Sequence, residues 1–219
     1  MDLFDDKVDW AEALEPLIEK YRKRKHPLEY KSLYQTLVMV VLSAQDSDAH
    51  INKLAPALFE AFPDMNALSK ASTADLLKYI SSVRGHMKKA DWLQDIASTV
   101  KDDKNIPVTM KELVALKGVG RKSANVIMRE AGVETEGIMV DLHVVRVATR
   151  LGITNAKEAN KIEQQLMEKL PRKMWTEVGS ALSFLGRETC RPTNPKHEEC
   201  VVSKYCEYCR QHNPGSCGT

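Results

Sequence analysis

Apolar residues recur at intervals of three and four along most of the chain, and no stretch alternates apolar with polar residues as a half-buried strand would. Leu14, Leu17, Ile18 and Tyr21 make one such stripe, and Leu33 to Leu42 is apolar enough for a helix buried on every side. Ser72-Thr73-Ala74-Asp75 and Thr109-Met110-Lys111-Glu112 have the form of capping boxes, in which a hydroxyl satisfies free amides while the acid reaches back. Pro27, Pro63, Pro107 and Pro171 interrupt the pattern, and Thr154-Asn155 does so more weakly. The pattern predicts an all-α protein of about nine or ten helices.

Short loops throughout Pro27 to Gly137 predict a compact bundle there, with the first helix set off by Arg24-Lys25-His26-Pro27. If that helix packs with the last ones, the protein has two lobes with a cleft between them. The 219 residues suit one large domain or two small ones. No apolar run approaches the roughly 20 residues that span a bilayer, and Met1-Asp2-Leu3-Phe4-Asp5-Asp6 is unlike a signal peptide. A cytoplasmic, monomeric protein with no membrane partner is expected, associated with the nucleoid if DNA is its partner.

The net charge of +2 decides little, so local clusters carry the argument. Lys20 to Lys25 and Lys101 to Lys104 read as solvated helix faces. Lys117-Gly118-Val119-Gly120-Arg121-Lys122 does not, because its charges flank glycines in a tight turn whose amides can face an anion. This is a hairpin suited to a phosphate. With Asp141 opening the next apolar segment, an amine and a carboxylate accompany the phosphate grip, which points to nucleophilic chemistry on a nucleic-acid sugar. Asp141 is also a natural N-cap, which would hold its carboxylate rigid and charged.

All five cysteines, Cys190, Cys200, Cys206, Cys209 and Cys217, fall in the last 30 residues. A disulfide framework would be spread more widely, so the clustering predicts a metal or iron-sulfur site.

Four segments in order resemble the endonuclease III type DNA glycosylase/AP lyases of the helix-hairpin-helix superfamily. They are Leu42-Ser43-Ala44-Gln45-Asp46-Ser47-Asp48, the hairpin Leu116 to Val126, Val140 to Val147 with Asp141 at its head, and Leu185-Gly186-Arg187-Glu188-Thr189-Cys190. The resemblance runs from about Tyr30 to Cys206. It implies a two-lobed fold: a six-helix barrel domain over 28–136 holding the hairpin, and a discontinuous helical domain from 1–27 and 137–219 with the cysteine loop. It implies removal of damaged bases, in particular oxidised pyrimidines, from double-stranded DNA, and cleavage of the abasic site by β-elimination. The alternatives are a mismatch-type monofunctional glycosylase and a non-catalytic damage-binding protein; Lys122 and Asp141 together argue against both.

By the same resemblance Lys122 is the nucleophile, and burial or a nearby cation such as Arg121 would favour its neutral amine. Asp141 would stabilise the cationic sugar. Gln45 would fill the gap left by an extruded base, while Gly118, Gly120, Arg121, Arg191 and Lys196 would hold phosphates. The second wedge departs from the family, because Val83-Arg84-Gly85-His86-Met87 has glycine where a bulky aliphatic side chain is expected. Arg84 or His86 would have to substitute. His143 is assigned no catalytic role.

The family's cluster loop runs Cys-x6-Cys-x2-Cys-x5-Cys, and here the second position is His197. A [4Fe-4S] cluster would be ligated by Cys190, Cys200 and Cys206 together with either Cys209 or His197, and thiolate preference favours Cys209. A structural zinc on the same residues is the alternative. Cys217 is expected to be free.

Overall fold

A computed structural model of the chain describes residues 8–218, so the acidic start at Met1 to Asp6 lies outside the described residues. The described residues form twelve α-helices and no strand. In chain order these are α1 (Trp10–Tyr21), α2 (Leu33–Ser43), α3 (Asp48–Ala61), α4 (Met65–Ser69), α5 (Thr73–Ile80), α6 (His86–Val100), α7 (Met110–Ala115), α8 (Arg121–Glu130), α9 (Leu142–Leu151), α10 (Ala159–Lys169), α11 (Trp175–Glu188) and α12 (Glu207–His212). The excess over nine or ten comes from α4, α7 and α12, which are five or six residues long and too short to show a helical period. No described helix is long and apolar enough to cross a membrane.

The chain divides into two units, Lys25–Thr135 and the segment up to Arg24 combined with everything from Glu136 onward. The divisions lie at 24/25 and 135/136. The first unit holds seven α-helices, α4 being little more than one turn beside the six expected.

In the unit 25–135, α2 is the central helix, with Tyr34 and every residue from Thr36 to Leu42 buried. It packs against α3, α6 and α8. Each large side chain fully buried in this way is worth roughly 1.5–3 kcal/mol. Side-chain caps fix where the helices begin: Ser32 accepts from the Gln35 amide, Ser47 from His50, and Ser72 forms the complete box with Asp75. Thr109 caps α7 through its hydroxyl, which also donates to the Glu112 carboxylate at 2.6 Å.

In the other unit, α1 lays Leu14, Leu17, Ile18 and Tyr21 against α11, and α11 packs along α9. Two glycines set the depth of that packing. A Cβ at Gly186 would stand 2.8 Å from the His143 Cβ, and one at Gly179 would press on the Met139 backbone.

His26 tests how the first unit closes. Its Nδ1 accepts from the Leu28 amide at 3.1 Å. Burial holds its pKa below the usual 6.5; Glu130 and Asp48 oppose this, while Arg129 and Lys122 reinforce it. The unfolded chain therefore takes up a proton that the folded chain resists, and the contribution is full above about pH 6.5 and lost as pH falls through the depressed value. The urea midpoint should fall between about pH 7 and 5, and His26→Asn, which keeps an acceptor for Leu28, should flatten that slope.

Candidate active site and cysteine pocket

The hairpin forms where α7 ends at an extended Leu116 and the chain turns through Gly118, whose φ is +80°. A side chain there would be strained and would also overlap the Trp92 ring. Val119 is buried and pins the turn to the core. Gly120 then begins α8 without a side-chain cap, and nothing stands within 4 Å of where its Cβ would be. The first turn of α8 thus starts without a capping side chain from Gly120, the kind of helix start that can take an anion. Arg121 and Lys122 follow in the first turn, both exposed. Lys122 is therefore not buried, contrary to one of the two routes expected for favouring its neutral form. Lys117 is engaged elsewhere, donating to Asp95 at 2.7 Å.

Asp141 caps α9. Its Oδ1 accepts from the amides of His143 at 2.9 Å and Val144 at 2.8 Å. Its Oδ2 accepts from the Ser183 hydroxyl at 2.7 Å, with the Arg187 guanidinium 3.9 Å away. One oxygen is spent on the helix and the other is held by α11, so the carboxylate has a fixed direction, and its side chain is only 10% exposed. The neighbouring Leu142 is 83% exposed. Ser183 and Arg187 were not read from the sequence as part of this site. Arg187 lies in a segment that carried the resemblance, and its four-residue spacing from Ser183 was the available signal.

The cysteine loop is hung on α9 by two arginines that sequence reasoning also missed. Arg146 donates to the carbonyls of Cys190 at 3.0 Å and Gly186 at 2.7 Å. Arg150 donates to those of Arg191 at 2.6 Å and Pro192 at 2.9 Å, and its guanidinium lies over the Tyr208 ring. Their i, i+4 spacing places both on one face of α9. Cys190, His197, Cys200 and Cys206 line a single pocket with Arg150 and Tyr208. Burial raises the Cys200 thiol to about 11, opposed by the Val202 amide and reinforced by Cys190 and Cys206. Burial likewise raises Cys206, although its sulfur accepts from the Cys209 amide at 3.4 Å. Burial, Arg150 and His212 all hold His197 below its usual value, which favours the neutral imidazole.

One cysteine expectation is corrected. Cys217 is not free but forms a disulfide with Cys209, their Cα atoms being 5.9 Å apart. Cys209 is completely buried and does not line that pocket, its sulfur being joined to Cys217. The tail turns back over Ser203, whose hydroxyl accepts from the Gly218 amide at 3.2 Å, and this brings residue 217 within reach.

Among the proposed phosphate contacts, Arg191 is exposed, while Lys196 is bridged by Glu199 at 2.8 and 3.0 Å. Gln45 is exposed just after α2, with φ +61°. Gly85 stands in open space at φ +71°, and His86 is tied to the Val83 carbonyl at 3.2 Å. Arg84 and Met87 are the exposed side chains on either side.

Residues 38–172 match the family described as HhH-GPD superfamily base excision DNA repair protein. The endonuclease III of Synechocystis sp. is 35% identical over 181 residues, covering 82% of this chain and 83% of that protein. The endonuclease III of Thermotoga maritima is 31% identical over 196 residues, covering 88% and 92%. A solved structure of a trapped endonuclease III–DNA covalent intermediate, an estranged-adenine complex, matches with a TM-score of 0.81 at 29% identity, over 91% of this chain and 95% of that one. An open glycine hairpin followed by a lysine, a doubly held aspartate and this extent of similarity lead to one assignment: the chain belongs to the endonuclease III family of HhH-GPD base excision DNA repair proteins.

Proposed function

We propose that this chain excises oxidised pyrimidines from duplex DNA and cleaves the resulting abasic site, with Lys122 as nucleophile and Asp141 as its carboxylate partner. Family membership gives the class, a DNA glycosylase with AP lyase activity. The observation that carries the residue assignment is the presence of Lys122 in the first helical turn after an unobstructed glycine hairpin, in a chain whose Asp141 is held at both oxygens.

In this reading the hairpin amides and Arg121 hold a backbone phosphate, which sets the sugar beside the Lys122 amine. The amine attacks C1′ as the N-glycosidic bond breaks, and the departing base leaves with the bonding pair and takes up a proton. Asp141 stabilises the positive charge at C1′ and accepts the proton lost from the amine. Ring opening gives an imine whose C2′ proton is acidified, and its loss expels the 3′ phosphate. Ser183 and Arg187 keep Asp141 oriented throughout.

The residues present suit a [4Fe-4S] cluster held by Cys190, Cys200, Cys206 and His197. These four line one pocket, and three thiols with an imidazole are a donor set that iron-sulfur centres accept. Bound there, the cluster would act as a structural cross-link for the loop. Loading requires the raised thiols to give up protons, so it should be favoured by alkaline pH.

Lys122→Ala should abolish borohydride trapping on a lesion duplex while duplex affinity stays within about threefold, because one phosphate-neighbouring charge is a small share of binding. Asp141→Asn should slow base excision by about a hundredfold or more at unchanged thermal stability, since asparagine is an equally good cap. Both are read from single-turnover kinetics and a melting curve. Arg191→Ala should weaken damaged and undamaged duplex alike, by filter binding, and Lys196→Ala should do so less, because Glu199 already neutralises it.

The purified protein should be yellow-brown. His197→Ala should bleach it, whereas Cys209→Ser should keep the visible absorption and lose only the stability of the tail. The opposite pattern would return the fourth position to Cys209.

A further inference from the structure

The turn at Gln45 and the segment leading to Gly85 are bound to each other by buried charge. Gln45 takes a left-handed conformation that non-glycine residues rarely adopt. What holds it is visible on both sides. The Lys89 side chain, 4% exposed, donates to the Leu42 carbonyl at 2.8 Å and the Ala44 carbonyl at 2.6 Å, the last acceptors before Gln45. Immediately after Gln45, the Asp46 carboxylate, 11% exposed, accepts from the Ser47 amide at 2.8 Å and from the Arg84 amide at 3.0 Å. It also meets His50 Nδ1 at 2.8 Å, while His50 Nε2 reaches the Ser82 hydroxyl at 3.0 Å.

We infer that Asp46 and Lys89 are positioning residues that join the Gln45 turn and the 82–86 segment into one rigid insertion element for base extrusion. The inference rests on the glycosylase reading and adds to it how a loop without a wedge side chain can serve. A burial this deep is costly for a lysine ammonium unless its protons are well placed. Here two of them fall on carbonyls that would otherwise end α2 without partners. Asp46 in turn fastens Arg84 by its backbone amide, which leaves the exposed Arg84 side chain to point outward. With no side chain at Gly85, the 82–86 segment can keep a gap in the duplex open only through backbone and Arg84. Such a segment must not yield when the helix presses back.

The distinguishing readout is extrusion, which a purely structural role would not change selectively. A duplex carrying one thymine glycol beside 2-aminopurine reports unstacking as a rise in emission. Asp46→Ala should slow that rise and single-turnover excision together by about tenfold, with undamaged-duplex affinity within about twofold and the melting point nearly unchanged. Asp46→Asn should recover most of the rate, because its carbonyl oxygen can still accept from the Arg84 amide. Lys89→Met should show the same selective slowing. If it fails to fold, the Asp46 pair decides. An Asp46→Ala protein that matches the parent in both rates, or an Asn variant as slow as Ala, overturns the inference while leaving the glycosylase reading intact. A parent protein that neither excises thymine glycol nor gives a borohydride-trapped adduct overturns the glycosylase reading, and the inference with it.

Discussion

The close approach of α11 to α9 is the constraint on which the unit containing Asp141 depends. It exists because position 186 has no side chain: a Cβ there would collide with the His143 Cβ and crowd Val147 and Arg146. At one end of the contact Ser183 comes within 2.7 Å of the Asp141 carboxylate. At the other, Arg146 spans the Gly186 and Cys190 carbonyls and fixes where the cysteine loop departs. A single close helix pair therefore positions both the Asp141 carboxylate and the cysteine loop, and loosening it would disturb both.

The other unit is built around a different solution. The hairpin is held by Val119 in the core and by Gly118 against Trp92, while α2, α6 and the turns at their ends are tied by polar groups. Buried polar groups of this kind are costly if any partner is lost, which makes the arrangement specific rather than merely stable.

Much of this was legible in the sequence because it depends on neighbours in the chain. Gly118-Val119-Gly120 announces a turn, and Asp141 before an apolar run announces a cap. The helices with a full amphipathic period were likewise foreseeable. Ser183 was not, since 42 residues separate it from Asp141 and only helix packing brings them together. Lys89 stands in the sequence as half of a basic pair with Lys88, and nothing local shows that it is one of the most buried charges among the described residues. Cys217 sits in a Pro-Gly-Ser tail that reads as loose chain, yet a separation of eight residues suffices for it to meet Cys209. The departures at Gly85 and His197 were visible in the sequence, but what accompanies them became clear only from the contacts.

The seat of the hairpin has an optical consequence. Trp92 presses one face of its indole on Gly118 and carries the Lys88 ammonium 5.0 Å from its ring centroid, and Trp10 and Trp175 both belong to the other unit. Indole emission responds to nearby charge and to displacement of packed neighbours. A phosphate placed on the hairpin would therefore be reported by Trp92, the one tryptophan of the unit 25–135, without any added label.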